Sequence, residues 1–267
     1  MTGATENEEN GARRLGGAGP AVGPLVGKTA LVTGGSRGVG RGIVERLVRD
    51  GAVVVIGFRQ DADAAAAVAG RMAAVGGLVH PVRADLTRPG EVARFFAVGE
   101  ELTGGIDILV NNAAIMLRGK FADATEEDFD RIMALNVKVP FLAIQQAAHR
   151  LRDGGRIVNI SSTATALAHP SQAAYSASKA ALDQLTKVAA KEFAKRGITV
   201  NTVSPGGVET EEVVAGVRPE VLQQWRRSSA FGRLGLPQDI ADVVGFLVGP
   251  DARWLSGQNL QAAGGAV

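Results

Sequence analysis

The chain holds a single tyrosine, Tyr175, and one of its seven lysines, Lys179, follows it by four residues in AAYSASKAAL. On a helix that spacing places both side chains on one face. An unperturbed phenol, with a pKa near ~10, is a poor proton donor or acceptor at neutral pH. An ammonium beside it favours phenolate and brings it towards the range useful for general acid/base work. Ser162 lies upstream, just past the apolar run Arg156–Ile160. Its hydroxyl suits a substrate carbonyl oxygen on which charge develops. Taken alone, the Tyr-x-x-x-Lys pair equally fits a buried tyrosine beside an ordinary surface lysine.

A second motif lies near the start. The run Thr29–Thr33 leads directly into Gly34-Gly35-Ser36-Arg37-Gly38-Val39-Gly40 and then a helix-like segment. Glycines at 34, 38 and 40 permit a tight turn and close backbone approach to a diphosphate. The following helix supplies free N–H groups and the positive end of its dipole. In a chain with 35 glycines a purely structural turn is the competing reading, but strand, turn and helix are the context a nucleotide site requires. The second strand ends in Ile56-Gly57-Phe58-Arg59-Gln60, with no carboxylate before Asp61. An acid there would select NAD through the ribose hydroxyls. Arg59 and Arg37 instead suit a 2′-phosphate, bound through charge-assisted forks, which predicts NADP(H). Two solvated surface arginines are the alternative.

These residues need a scaffold, and the pattern supplies one. Strand candidates at Thr29–Thr33, Val53–Phe58, Leu78–Val82, Ile108–Asn111, Arg156–Ile160 and Thr199–Val203 alternate with helical stretches at Val39–Arg49, Asp61–Val75, Glu91–Leu102, Glu126–Arg150 and Ala173–Arg196. Runs such as VVVI are apolar at consecutive positions, as strands buried on both faces should be. The fold class expected is α/β: one doubly wound Rossmann-type domain, a parallel sheet of about seven strands with helices on both faces. Ligands then sit at the carboxyl ends of the strands. Residues 25–267 contain no linker or repeat, while residues 1–24 are polar, glycine-rich and without apolar periodicity, and read as a flexible tail.

Composition narrows the function classes. At 46% hydrophobic and 21% charged residues the chain as a whole is not disordered. With no cysteine there are no disulfides, thiolate metal sites or Cys nucleophiles, and His80, His149 and His169 are scattered, so no metal is expected. A formal charge of +2 does not call for nucleic acid. No membrane span or signal peptide is read, and a cytoplasmic location is the expectation.

Taken in order, TGGSRGVG, DILVNNAA, Asn136 in ALNVKVPF, IVNISS, YSASK, VSPGGVET and GRLGLPQDIADVVGFL resemble the short-chain dehydrogenase/reductase family over about residues 27–265. The resemblance implies a role for each matching position. Tyr175 would be the acid/base, and Lys179 would bind the nicotinamide ribose and lower the Tyr175 pKa. Ser162 would orient the substrate carbonyl, and Asn136 would hold a water linking Lys179 to solvent. Asp85 and Leu86 would flank the adenine, and Asn112 and Ala113 would line the adenosine side. Pro205, Gly206, Val208 and Thr210 would close over the nicotinamide. A homotetramer built through the helices around Glu126–Arg150 and Ala173–Arg196 is likewise implied. Two positions depart from the family pattern: Ala114 stands where Gly is usual, and Ala263 where Asp is common. The second puts assembly in doubt, and the chemistry is untouched.

The expected activity is NADPH-dependent reduction of a ketone to a secondary alcohol. The segment 207–231 is a short lid, which suits a 3-oxoacyl-carrier-protein reductase-like branch. Arg218, Arg226, Arg227 and Arg233 around it suit either an acidic carrier or simple solvation. Sugar, polyol and polyketide-type ketones are the alternative substrates. A non-catalytic dinucleotide sensor is the reading from another class, and the presence of Ser162, Tyr175, Lys179 and Asn136 speaks against it. His169, beside Pro170, reads as structural.

Overall fold

Seven short strands, most of them β-branched and apolar, form one parallel sheet in the computed structural model, which describes residues 23–267. They are β1 (Thr29–Thr33), β2 (Val53–Phe58), β3 (Val79–Arg83), β4 (Ile106–Asn111), β5 (Leu151–Ile160), β6 (Thr199–Pro205) and β7 (Asn259–Ala262), in the order β3-β2-β1-β4-β5-β6-β7. Every pairing is parallel. β1, β4 and β6 are buried at every position, as strands covered on both faces must be. The chain runs outward from β1 to β3 and then crosses back to lay β4 on the other side of β1. That reversal opens a crevice above the carboxyl ends of β1 and β4.

Helices cover both faces. On one, α1 (Gly38–Arg49), α2 (Ala62–Ala73) and α10 (Pro237–Val248) place Ile43, Leu47, Val68 and Val244 against Val32, Val54 and Val110. On the other, α3 (Glu91–Thr103), α5 (Val139–Arg150) and α7 (Ala173–Glu192) place Phe95, Phe96, Ala143 and Ala189 against Leu31, Val55, Leu109 and Ile157. Opposite the crevice, buried Asp107 accepts from the Thr29 N–H at 3.0 Å, Lys28 Nζ at 3.0 Å and Arg152 Nη1 at 3.1 Å. The three bonds tie together the beginnings of β1, β4 and β5.

The remaining helices shape the site: α4 (Glu126–Met133), the single turn α6 (Ala164–Leu167), and α8 (Glu211–Gly216) with α9 (Pro219–Ser228), both in the lid. The helix expected over Glu126–Arg150 is not continuous. A π turn over Ala134–Lys138 separates α4 from α5. Pro140 lies at the start of α5 and has no N–H to return to the Asn136 carbonyl, so α-helical bonding cannot run through this point. β5 begins at Leu151 rather than Arg156, and β7, in a segment with little apolar patterning, was not among the strand candidates. Residues 1–22 of the expected tail lie outside the described residues; Leu25 already belongs to the core, at 2% exposure. Among the described residues no helix is long and apolar enough to cross a membrane, and no cluster of His, Asp and Glu is placed to hold a metal.

Candidate active site

Buried hydrogen bonds lock α7 to the sheet. Asn111 Nδ2 donates to Asn159 Oδ1 at 2.8 Å, Asn159 Nδ2 donates to Thr186 Oγ1 at 2.8 Å, and Thr186 and Thr202 hydroxyls meet at 2.7 Å. A continuous polar chain in a low-dielectric interior fixes one arrangement, with Asn111 Oδ1 at its end left without a partner among the described residues. It runs from β4 through β5 and α7 to β6, and so sets the height of α7 above the strand ends.

One turn apart on that helix stand Tyr175 and Lys179. Lys179 is buried, at 3% exposure, and its Nζ donates to the Ile160 carbonyl at the end of β5 at 2.7 Å. The same nitrogen lies 5.8 Å from the centroid of the Tyr175 ring. The Ser162 hydroxyl lies near enough to the Tyr175 phenol to act on its titration, and Ser162 Oγ accepts from the Ala164 N–H at 3.1 Å, which fixes its rotamer. Phenol, hydroxyl and ammonium therefore converge beyond the end of β5.

The electrostatics differ from what spacing alone implies. Burial pushes the Tyr175 phenol above its usual value, and the Ser162 hydroxyl and the charge of Arg118 pull it part of the way back. Desolvation of the charged form outweighs the attraction of the Arg118 cation. Lys179 is itself lowered by burial to about 8, with Asp183 one turn further along α7 opposing that shift. Below about pH 8 Lys179 is an ammonium, able to stabilise negative charge on Tyr175 were that phenol to give up its proton; above that pH the amine is neutral. The kcat/KM of reduction is therefore expected to fall as pH rises through about 8. Lys179→Arg, charged at every accessible pH, should remove this limb from the profile even if its turnover is lower. An unmoved limb in that variant would assign the titration to another group.

Asn136 occupies the π turn at 1% exposure. Both of its amide hydrogens are used: Nδ2 donates to the Ile115 carbonyl at 2.9 Å and to Ser178 Oγ at 3.1 Å, while Oδ1 accepts from the Ile115 N–H at 2.9 Å. It ties the loop after β4 to the middle of α7. Pro140 has no N–H to give the Asn136 main-chain carbonyl, which suits that carbonyl to accept from a water.

A cleft of about 930 Å³ opens above β1 and β4, lined by Gly34, Ser36, Arg37, Gly38, Val39, Arg59, Asp85, Leu86, Asn112, Ala113 and Thr210. Several backbone features fit a dinucleotide here. Gly34 and Gly38 have φ of 67° and 53°, the left-handed region, and a Cβ on Gly40 would lie 2.1 Å from the Gly34 carbonyl oxygen. Asn112 Nδ2 donates to the Thr33 and Gly34 carbonyls, both at 3.0 Å, bracing the turn. Arg37 begins α1 and is exposed, as is Arg59 at the end of β2. Asp61, the first carboxylate after β2, turns to its own helix and caps α2 by accepting from the Ala64 N–H at 2.9 Å.

Not every expected residue lines this cleft. Pro205, Gly206 and Val208 do not; Pro205 and Val208 are buried beneath the lid, and the Pro205 carbonyl accepts from the Thr163 N–H at 3.0 Å, beside Ser162. Ala263 backs directly onto Gly206, where an added Cβ would come within 3.2 Å. His169 is exposed on its loop. Of the lid arginines, Arg226 pairs with Glu209 at 3.5 Å, and Arg233 reaches Asp239 at 2.6 Å.

A family profile described as enoyl-(acyl carrier protein) reductase matches residues 34–267. The chain belongs to the short-chain dehydrogenase/reductase family. This short-chain dehydrogenase/reductase is accordingly an NAD(P)-dependent oxidoreductase acting on CH–OH groups. It is 39% identical to an uncharacterized oxidoreductase of Methylorubrum extorquens, over 90% of this chain and 98% of the relative. It is 37% identical to a hydroxynaphthalene reductase-like protein Arp2 of Metarhizium majus, over 91% and 96% of the two chains. Among solved structures, the angucycline C-6 ketoreductase LanV with bound NADP matches with a TM-score of 0.88 and 44% identity, over 92% of this chain and 97% of LanV. The residues that sequence reasoning missed are Arg118 and Trp225, which meet across the mouth of the site. They lie on separate loop and lid segments, and no local pattern signals their pairing.

Proposed function

We propose that the chain is an NADP(H)-dependent ketoreductase that converts a ketone to a secondary alcohol, with Tyr175 as the proton donor. The observation that carries this reading is the convergence of the Tyr175 ring, the Lys179 amine 5.8 Å from its centroid and the Ser162 hydroxyl, next to a cleft fitted to a dinucleotide. Bound NADPH supplies the hydride that reaches the carbonyl carbon. Ser162 holds the carbonyl oxygen, and the Tyr175 hydroxyl gives that oxygen its proton as charge develops there. The Lys179 ammonium stabilises the resulting phenolate and binds the nicotinamide ribose. Asn136 supplies the backbone carbonyl for a water through which the proton is replaced from solvent. Arg37 and Arg59 hold the 2′-phosphate, and Pro205, Gly206, Val208 and Thr210 belong to the loop that closes over the nicotinamide end.

For the substrate, a polycyclic or aromatic polyketide-type ketone is favoured over a carrier-bound 3-oxoacyl thioester. LanV and the Metarhizium relatives act, by their names, on fused-ring ketones or resemble enzymes that do. Internal pairing of Arg226 and Arg233 also removes half of the basic lid surface that an acidic carrier would need. NADPH consumption with fused-ring ketones and with 3-oxoacyl thioesters tests both levels. Turnover of neither class would end the ketoreductase reading, and faster turnover of thioesters would restore the carrier-bound substrate. A homotetramer is the proposed assembly: Phe129 on α4, Phe141 on α5 and Val188 on α7 are exposed apolar residues on the helices expected to meet. A monomeric mass by light scattering would refute it.

A further inference from the structure

One charged side chain at the mouth of the site has no part in the mechanism above. Arg118 sits, exposed, on the loop that follows β4. Its guanidinium carbon lies 5.4 Å from the centroid of the Trp225 ring on α9, a cation–π contact. Trp225 is half-buried because it packs on the loop after β6: a Cβ added at Gly207 would come within 3.2 Å of its Cε3 and within 3.0 Å of Leu234 Cδ2. The Arg118 loop is fixed from the other side as well. The Gly119 N–H donates to the Ser171 carbonyl at 3.1 Å. Ser171 has a left-handed φ of 64°, and α7 begins two residues later. Arg118 is thus held between the lid helix and the turn that leads into Tyr175, and its charge is felt at the phenol.

Its bonding is incomplete. Arg226 and Arg233 in the same lid region have carboxylate partners, whereas among the described residues no carboxylate pairs with Arg118. An aromatic ring over one face of a guanidinium leaves the five in-plane N–H donors available. It also removes water from that face, which strengthens whatever those donors bind.

We propose that Arg118, seated on Trp225, is a specificity-determining residue that binds an anionic oxygen of the substrate, so that the site favours ketones bearing a carboxylate or ionised phenol over their neutral counterparts. This deepens the ketoreductase reading and rests on it. A bidentate, charge-assisted contact fits the geometry: Trp225 pre-positions the guanidinium, and the Gly119–Ser171 bond ties its loop to the turn that leads into Tyr175.

A matched pair of ketones tests it: 4-oxo-4-phenylbutanoate and its methyl ester, identical at the reacting carbonyl. The intact protein is expected to have the higher kcat/KM for the carboxylate. Arg118→Met should lower the carboxylate-to-ester ratio by about tenfold, the scale of one lost charge-assisted hydrogen bond. Arg118→Lys should keep part of the preference, and Trp225→Leu should weaken it in the same direction. NADPH affinity, read in each variant, reports that the fold is kept. Binding is measured separately in complexes with NADP⁺, where no hydride can transfer. The chain has two tryptophans, and replacing the 96% exposed Trp254 by Phe leaves Trp225 as the fluorescent reporter. Equal losses on acid and ester, or no tighter binding of the acid, would overturn the proposal. Tighter binding of the acid that Arg118→Met abolishes, with neither this pair nor the fused-ring ketones and thioesters reduced, would uphold the anion site and sink the ketoreductase reading alone.

Discussion

Tyr175→Phe is expected to lower turnover of any ketone substrate on the order of 10³-fold while leaving NADPH affinity nearly unchanged. The substitution removes one oxygen from a ring that is otherwise packed, so no cavity opens. What is lost is the phenol hydroxyl beside Ser162 that the proposed mechanism uses as proton donor. Chain composition sharpens the test, because no second tyrosine, and no cysteine, is present to substitute. The folded structure should tolerate the change: Lys179 keeps its bond to the Ile160 carbonyl, and the polar chain from Asn111 to Thr202 does not involve the phenol. NADPH oxidation under saturating ketone measures the rate, and nucleotide fluorescence measures the affinity. Activity within tenfold of the intact protein would show that the proton comes from elsewhere, and the role of Ser162 would have to be rebuilt with it.

The high phenol pKa does not conflict with that role. A general acid must hold its proton until the carbonyl oxygen becomes negative, and burial ensures that Tyr175 does. In the proposed mechanism Lys179 contributes at the moment of transfer, when negative charge appears on the ring 5.8 Å from its amine. This division of labour could not be read from the spacing of the two residues. Four positions on a helix fix which side chains are neighbours, but the balance between desolvation and attraction depends on how deeply the helix is buried. That depth is set by distant bonds through Asn159 and Thr202.

Other features sort in the same way. The glycine turn, the parallel sheet and the Ser–Tyr–Lys set were legible because each depends on local pattern: short-range spacing, β-branched runs, and φ values that glycine permits. The π turn at Asn136 was half-legible. Pro140 stands in the sequence as a break in the helix, yet without tertiary contacts nothing shows whether the chain kinks, stops or widens into a π turn there. β7 was missed because Asn259–Ala262 carries little apolar pattern, and its place is set by pairing with β6. Arg118 and Trp225 were invisible for a stronger reason. Their contact joins the loop after β4 to the lid, and only the closed fold brings those segments together.

Arg59→Asp should reverse cofactor preference, and it is the second large effect. In the intact protein Arg37 and Arg59 flank one end of the cleft, and among the described residues neither is held in an ion pair. The Arg59 charge pulls on Asp85, whose carboxyl is already held low by the Thr87 hydroxyl at 2.6 Å. A 2′-phosphate would therefore meet two uncommitted guanidiniums. Losing one such contact costs on the order of tenfold to a hundredfold in affinity, and placing a carboxylate there adds repulsion. The expected result is a fall in kcat/KM with NADPH of about 10²-fold or more, with NADH use unchanged or improved, since Asp at this position can accept from both ribose hydroxyls. Arg37→Ala should weaken NADPH in the same direction but less, because it removes attraction without adding an opposing charge. Asp61 does not already serve NADH, because its carboxylate is turned back to cap α2. An unaltered NADPH-to-NADH ratio in Arg59→Asp would show that the phosphate is held elsewhere, and Arg83, which donates to the Arg59 carbonyl at 3.3 Å, would be the next side chain to replace.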